Sequence, residues 1–198
     1  MRVSRTQAEE NRQAVINAAS RLFRERGFDG IGLKDLMKGA GLTQGAFYKQ
    51  FESKNDLVAQ ASRRALECTL QRWEEAAASN PQDPLEAVLG FYLSMGHREE
   101  RMDGCPVVAL GSDVARQNAD VKAAFEAGIG TYLDMLAGWI GEGDSDQPSG
   151  RTMAILSTMV GALLLSRAVN DEQLSGDFLR AAADQIRTSA HQHKKEMK

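Results

Sequence analysis

Leu33 to Lys54 reads LKDLMKGAGLTQGAFYKQFESK, and its spacing decides the architecture of the chain. Leu33, Leu36, Met37 and Ala40 recur at helical spacing, and Gly41 then breaks the run. Glycine suits the left-handed turn that ends a helix. Leu42 follows as an apolar plug, and the Thr43 hydroxyl is placed to cap a second helix. That helix turns Phe47 and Phe51 inward, four residues apart. It leaves Gln44, Gly45, Ala46, Tyr48, Lys49 and Gln50 on or near its open side. Ser53 begins a third helix, with Asp56 at the capping-box position and Lys54 in the first turn. Two short helices joined by a glycine turn, the second with small and polar outward residues, predict a helix-turn-helix.

Working outward, the first helix is expected over about 7–26, with Val15, Ala18, Ala19, Leu22 and Phe23 on one face. Residues 1–6, with Arg2 and Arg5, read as a mobile basic arm ahead of it. The motif helices are expected at about 33–40 and 44–50. A long helix from Ser53 to about Ala78 carries Leu57, Val58, Ala61, Ala65, Leu66 and Leu70 and leads away from the motif. Beyond the break at Asn80–Pro84, helices are expected at about 84–100, 105–116, 118–140, 151–169 and 174–191. The stretch 141–150 is the most loop-like part of the chain, and the tail from His191 is polar and frayed. The expected fold is all-α. Residues 1–52 form a three-helix head, and 53–198 form a helical body.

The chain has 198 residues, 42% of them hydrophobic and 26% charged. That is ordinary for a globular protein. No window is apolar enough to span a membrane and no signal peptide opens the chain, so the expected compartment is the cytoplasm. Two cysteines, Cys68 and Cys105, are too few and too far apart for a disulfide framework or a zinc site. His191 and His193 lack a third ligand, so no metal and no cofactor is expected. The net charge of −3 hides an asymmetry: residues 1–55 carry ten basic and six acidic side chains, a net of +4, and the remainder carries −7. A basic head on an acidic body points to a nucleic-acid module fused to something else.

The run GLTQGAFYKQFESKNDL, after an amphipathic helix and Gly27-Phe28, resembles the DNA-binding domain of TetR-type bacterial transcriptional repressors. The Phe47-Tyr48 pair, Phe51 and Ser53-Lys54 carry the likeness, over about the first third of the chain. One departure is Gly30-Ile31-Gly32, where that family usually has Thr or Ser ahead of its second helix. The resemblance implies a DNA-binding domain over 1–52 and a ligand-binding and dimerisation domain over 53–198. It implies a homodimer, paired through the last two helices, on a near-palindromic duplex, with a small-molecule inducer of unknown identity.

The DNA-contacting set is then Lys34, Thr43, Gln44, Gly45, Ala46, Tyr48, Lys49, Gln50 and Lys54. Gln44, Gln50 and Lys49 are candidate base readers. By the resemblance, Tyr48 and Lys54 match phosphate-binding positions, which set register. Candidate ligand-lining residues in the body are Phe91, Tyr92, Met95, Val108, Phe125, Ile129, Tyr132, Ser157 and Met159. His97, Ser112 and Arg167 are polar groups set among them. Cys105 opens a helix, where a thiol gains reactivity, so a thiol- or electrophile-sensing repressor is the alternative signal. An enzyme is not expected, because no nucleophile elbow, phosphate loop or paired carboxylate occurs. A helical adaptor without DNA binding is disfavoured by the intact Tyr48, Lys49 and Lys54.

Overall fold

The computed structural model describes residues 4–142 and 149–196, with only the backbone of 191–196. Arg2, the loop centre at 143–148 and the side chains of His191 and His193 lie outside the described residues. All regular structure among the described residues is helical. The α-helices are α1 (Arg5–Arg26), α2 (Leu33–Gly39), α3 (Lys54–Ser79), α4 (Pro84–Tyr92), α5 (Met95–Glu99), α6 (Pro106–Val114), α7 (Ala119–Ile140), α8 (Gly150–Ala168) and α9 (Glu172–Glu196). A 3-10 helix, Gln44–Lys49, sits between α2 and α3 and is called the reading helix below.

By compactness the chain divides into two units, 1–69 with 101–128, and 70–100 with 129–198. Helices α3 and α7 each contribute residues to both. Helix α6 packs with α1, which places 101–128 in the first unit. In the first unit Val15, Ala19, Phe23, Phe28, Leu36, Met37, Phe47 and Leu57 are buried. Phe23 meets Phe28 edge-on at 5.3 Å, and Phe47 stacks on Phe51 at 5.4 Å. Such pairs contribute roughly 0.5–1.5 kcal/mol beyond their burial.

Two expectations about this unit change. Residues 4–6 are not an arm: the Ser4 hydroxyl accepts from Gln7 N at 3.1 Å, and the helix starts at Arg5. The basic charge of the head is also partly spent inside it. Arg24 is buried, its Nε donating to Ser20 O at 3.0 Å and Nη1 to Gly104 O at 2.9 Å. Arg21 pairs with Asp103 at 2.9 Å.

In the second unit the predicted helix 84–100 is two helices, broken at Leu93–Ser94. Polar side chains replace the lost backbone bonds. Ser94 Oγ donates to Phe91 O at 2.8 Å and accepts from His97 N at 3.1 Å. His97 Nδ1 lies 2.8 Å from Tyr92 O and donates to it, since a carbonyl can only accept. Arg167 on α8 caps the end of α5, with Nε on Arg98 O at 2.9 Å and Nη2 on His97 O at 2.7 Å. Arg98 returns the contact, donating to Ser166 O at 3.0 Å.

His97 is buried, and desolvation lowers its pKa from 6.5 to about 4; the Arg167 and Arg72 cations push the same way, against the Tyr92 hydrogen bond and Glu100. The folded protein therefore binds fewer protons than the unfolded chain between about pH 4 and 6.5. The stability from keeping this imidazole neutral is complete above pH 6.5 and is lost as pH falls towards 4. Wild type should lose about 2 kcal/mol more than His97→Gln between pH 7.5 and 4.5, read from urea midpoints of both proteins at each pH. Equal losses would show that His97 is not the group responsible.

Candidate nucleic-acid interface

The site is built from the α2–reading-helix turn. Gly41 takes φ +71°, the left-handed conformation glycine allows. Leu42 N donates to Met37 O at 2.9 Å and Gly41 N to Lys38 O at 3.0 Å, the two bonds of a Schellman stop. Leu42 is half-buried rather than fully enclosed. Thr43 does not cap with its hydroxyl; its carbonyl accepts from Ala46 N at 3.0 Å instead. The reading element winds as a six-residue 3-10 helix, a form typical of short pieces.

Phe47 is fully buried and anchors this element, meeting Tyr48 edge-on at 5.2 Å. Tyr48 itself is 70% exposed, an unusual position for so large a ring. A Cβ added to Gly45 would meet nothing within 4 Å, and its φ is not positive, so no packing or turn inside the chain requires glycine there. Its small size leaves the backbone open to an outside surface. Thr43, Gln44, Gly45, Tyr48 and Lys49 are exposed together, Ala46 is half-buried, and Lys34 is exposed on α2.

Two of the expected contact residues are not freely exposed. Gln50 is half-buried, and its Oε1 is buried without a donor among the described residues. Lys54 Nζ donates to Phe28 O at 2.7 Å, so it ties the start of α3 to the α1–α2 turn. The capping of α3 follows the sequence reading: Asp56 N donates to Ser53 Oγ at 3.0 Å, and the Asp56 carboxylate accepts from Glu52 N at 3.2 Å. Gly32 caps α2 without a side-chain bond, as expected from the missing hydroxyl.

The body residues fall out unevenly. Tyr92, Phe125, Tyr132 and Met159 are buried; Phe91, Met95, Val108 and Ile129 are half-buried. Val108 and Phe125 belong to the first unit, and the other seven to the second. Ser157 and Ser112 are exposed, so neither is a polar group facing a core. Ser157 is expected among the lining residues, but α8 is apolar nearly all round, which hides the true facing of this side chain from the sequence. Cys105 precedes α6 and is 1% exposed. No group of three or more metal-ligating side chains occurs among the described residues, and no described helix is long and apolar enough to cross a membrane.

Sequence reading missed Trp73 and Trp139. Trp73 is fully buried, stacked on Tyr132 at 4.8 Å, edge-on to Tyr92 at 5.7 Å and 6.1 Å from Trp139. The signal was present: Trp73 continues the apolar stripe of Leu66 and Leu70.

A buried three-helix frame presenting an exposed Tyr48 and an uncrowded Gly45 on a short second helix defines a helix-turn-helix DNA-binding protein. Residues 15–61 match the bacterial regulatory proteins of the tetR family, which supports a TetR-type transcriptional regulator. It is 26% identical over 131 residues to the HTH-type transcriptional repressor NemR of Escherichia coli K12. The match covers 65% of this chain and 66% of NemR, just under two thirds of that relative. The fold is similar to the crystal structure of E. coli NemR in its reduced form, with a TM-score of 0.74 and 22% identity, covering 90% of this chain and 96% of that one. It is also similar to AibR in complex with isovaleryl coenzyme A and operator DNA, with a TM-score of 0.57 and 15% identity, over 85% and 96% of the chains.

Proposed function

We propose that the chain is a cytoplasmic, ligand-responsive repressor that binds a near-palindromic operator as a homodimer and is released by a small-molecule inducer. The observation that carries this reading is the reading helix: an exposed Tyr48 and Lys49 beside a Gly45 whose smallness the chain's own packing does not require. Gln44 and Lys49 read bases, Tyr48 and Lys34 hold phosphates, and Lys54 stiffens the frame and adds positive charge. A head of this size reads one half-site, so a twin is needed. The face of α8 and α9 carrying Met153, Leu164, Leu165 and Leu174, each 44–47% exposed, suits pairing with a second copy. The structural likeness to AibR bound to an acyl-coenzyme A and operator DNA supports a chain that holds both kinds of partner.

Binding to operator DNA, followed by fluorescence anisotropy, should weaken with salt at a log–log slope of about −0.9 per phosphate contact. Tyr48→Ala should lower affinity for all sequences and leave the slope unchanged, because a neutral phenol releases no counterion. Lys49→Ala should cost about 1–3 kcal/mol at the preferred site and relax the sequence preference. A slope near zero in wild type would overturn the reading.

A second reading keeps the DNA head and changes the signal. Cys105 precedes α6 in a protein similar to NemR, whose structure is described as a reduced form. An electrophile or oxidant at this thiol would then release DNA. Its 1% exposure makes a reagent's approach depend on local opening. Cys105→Ser separates the two: a reversible inducer still releases DNA from the variant, whereas thiol sensing is abolished.

A further inference from the structure

We propose that the buried indole N–H of Trp73 is the hydrogen-bond donor of a small-molecule site in the second unit, and that the site takes a flat, uncharged aromatic body bearing one acceptor, such as an aromatic ketone. This rests on the ligand-responsive reading above and names the ligand class for it. Trp73 is fully buried, and no acceptor among the described residues reaches its Nε1. A buried donor without an acceptor is costly, and phenylalanine would fill the same apolar surroundings without that cost. The indole is therefore informative, because packing alone does not explain it.

Its neighbours set the chemistry of what can sit there. Tyr132 stacks on it at 4.8 Å, Tyr92 meets it edge-on at 5.7 Å, and Trp139 lies 6.1 Å away. Flat apolar rings suit such walls. Trp139 is only half-buried, and it also lines a cavity of about 30 Å³ with Leu85, Leu89, Glu86 and Arg187. That volume holds about one water, so entry requires Trp139 to swing aside. Trp139 thus touches both this cavity and the surroundings of the Trp73 ring.

Charge argues for a neutral ligand. Arg187, the cation lining the cavity, is already gripped by Glu86 through two bonds of 2.8 and 2.7 Å. A carboxylate brought inside would lack a free partner. A cation would meet an N–H donor, with Arg72 and Arg167 acting on the adjoining His97. His97 Nδ1 is committed to Tyr92 O at 2.8 Å, and Trp73 Nε1 is a buried N–H without an acceptor among the described residues.

The chain has two tryptophans, both at this site, so its indole emission reports on it alone. The full-length protein is dialysed to equilibrium against 2-acetylnaphthalene and, separately, against 2-ethylnaphthalene, which has nearly the same shape without the ketone oxygen. Wild type should bind the ketone about tenfold more tightly, the size of one hydrogen bond, with a parallel change in indole emission. Trp73→Phe should bring the ketone down to the affinity of the hydrocarbon and leave the hydrocarbon within about twofold. Trp139→Phe keeps the donor and should keep the preference. Equal binding of both probes to wild type, or no saturable binding of the ketone, overturns the proposal without needing any variant to fold. A preference that survives Trp73→Phe, or vanishes in Trp139→Phe, overturns it as well. Ketone preference without release of operator DNA supports the site and sinks the ligand-switch reading instead.

Discussion

Replacing both Leu164 and Leu165 by glutamate is expected to give a monomer whose operator affinity is about a hundredfold to a thousandfold below wild type. Both side chains are large, apolar and nearly half exposed on α8, alongside Met153 on the same helix and Leu174 on α9. Burying one leucine contributes about 1.5–3 kcal/mol, and a two-fold interface uses each leucine twice. Four carboxylates placed there also face one another across the axis. Their removal from water costs far more than the leucines return. The inward face of α8, with Ile155, Leu156, Met159 and Leu163, is untouched, so the protomer should still fold. Sedimentation gives the oligomeric state, and anisotropy on a full operator gives the affinity. A monomer that binds the full operator as tightly as wild type would remove the dimer from the account.

Gly30→Ala should destabilise the head by about 3 kcal/mol or more, among the largest costs a single methyl group can impose. A Cβ at this position would lie 1.9 Å from Arg26 O and 3.0 Å from Arg26 C, both backbone atoms at the end of α1. Backbone cannot swing aside as a flexible side chain can, so the α1–α2 turn must open. That turn carries Phe28, whose N donates to Asp113 at 3.2 Å and whose carbonyl holds Lys54. Thermal unfolding should therefore shift down steeply, and operator binding should fail at temperatures wild type tolerates. Gly32, two residues on, is the matched control. A Cβ there meets nothing within 4 Å, and Gly32 caps α2 without a side-chain bond. Gly32→Ser should stabilise the head by a few tenths of a kcal/mol by supplying the missing hydroxyl. If the two substitutions have similar effects, the close approach at Gly30 is not what constrains the turn.

Most of the reading head was legible because its signals are local. Helical spacing of Leu36 and Met37, the stop at Gly41, the Ser53–Asp56 cap and the Phe47–Phe51 pair each act within four or five residues. The helix-turn-helix therefore follows from the chain order alone. The exposure of Tyr48 and the open space around Gly45 were legible for the same reason. What was misread were bonds that compete with a local preference. Thr43 is a good cap by type, yet its carbonyl, not its hydroxyl, meets Ala46 N. Lys54 reads as a free cation on a first turn, but Phe28 O, far earlier in the chain, takes its ammonium. Arg24 counts towards the basic charge of residues 1–55, but the Gly104 carbonyl, eighty residues away, draws it inside.

By itself the sequence determined an all-helical chain, the position of its helix-turn-helix and its likeness to TetR-type regulators, since periodicity, capping and turn chemistry are written in neighbouring residues. Only the tertiary structure decided that 84–100 is two helices. Ser94 and His97 can satisfy a broken backbone only once Tyr92, Arg167 and α8 are in place. It alone turned Ser157 outward on a helix whose apolar residues surround it. And it alone gathered Trp73, Tyr92, Tyr132 and Trp139 from three helices and left one indole N–H without an acceptor among the described residues. Whether a buried donor finds an acceptor depends on residues far apart in the chain, and no pattern of neighbours records that.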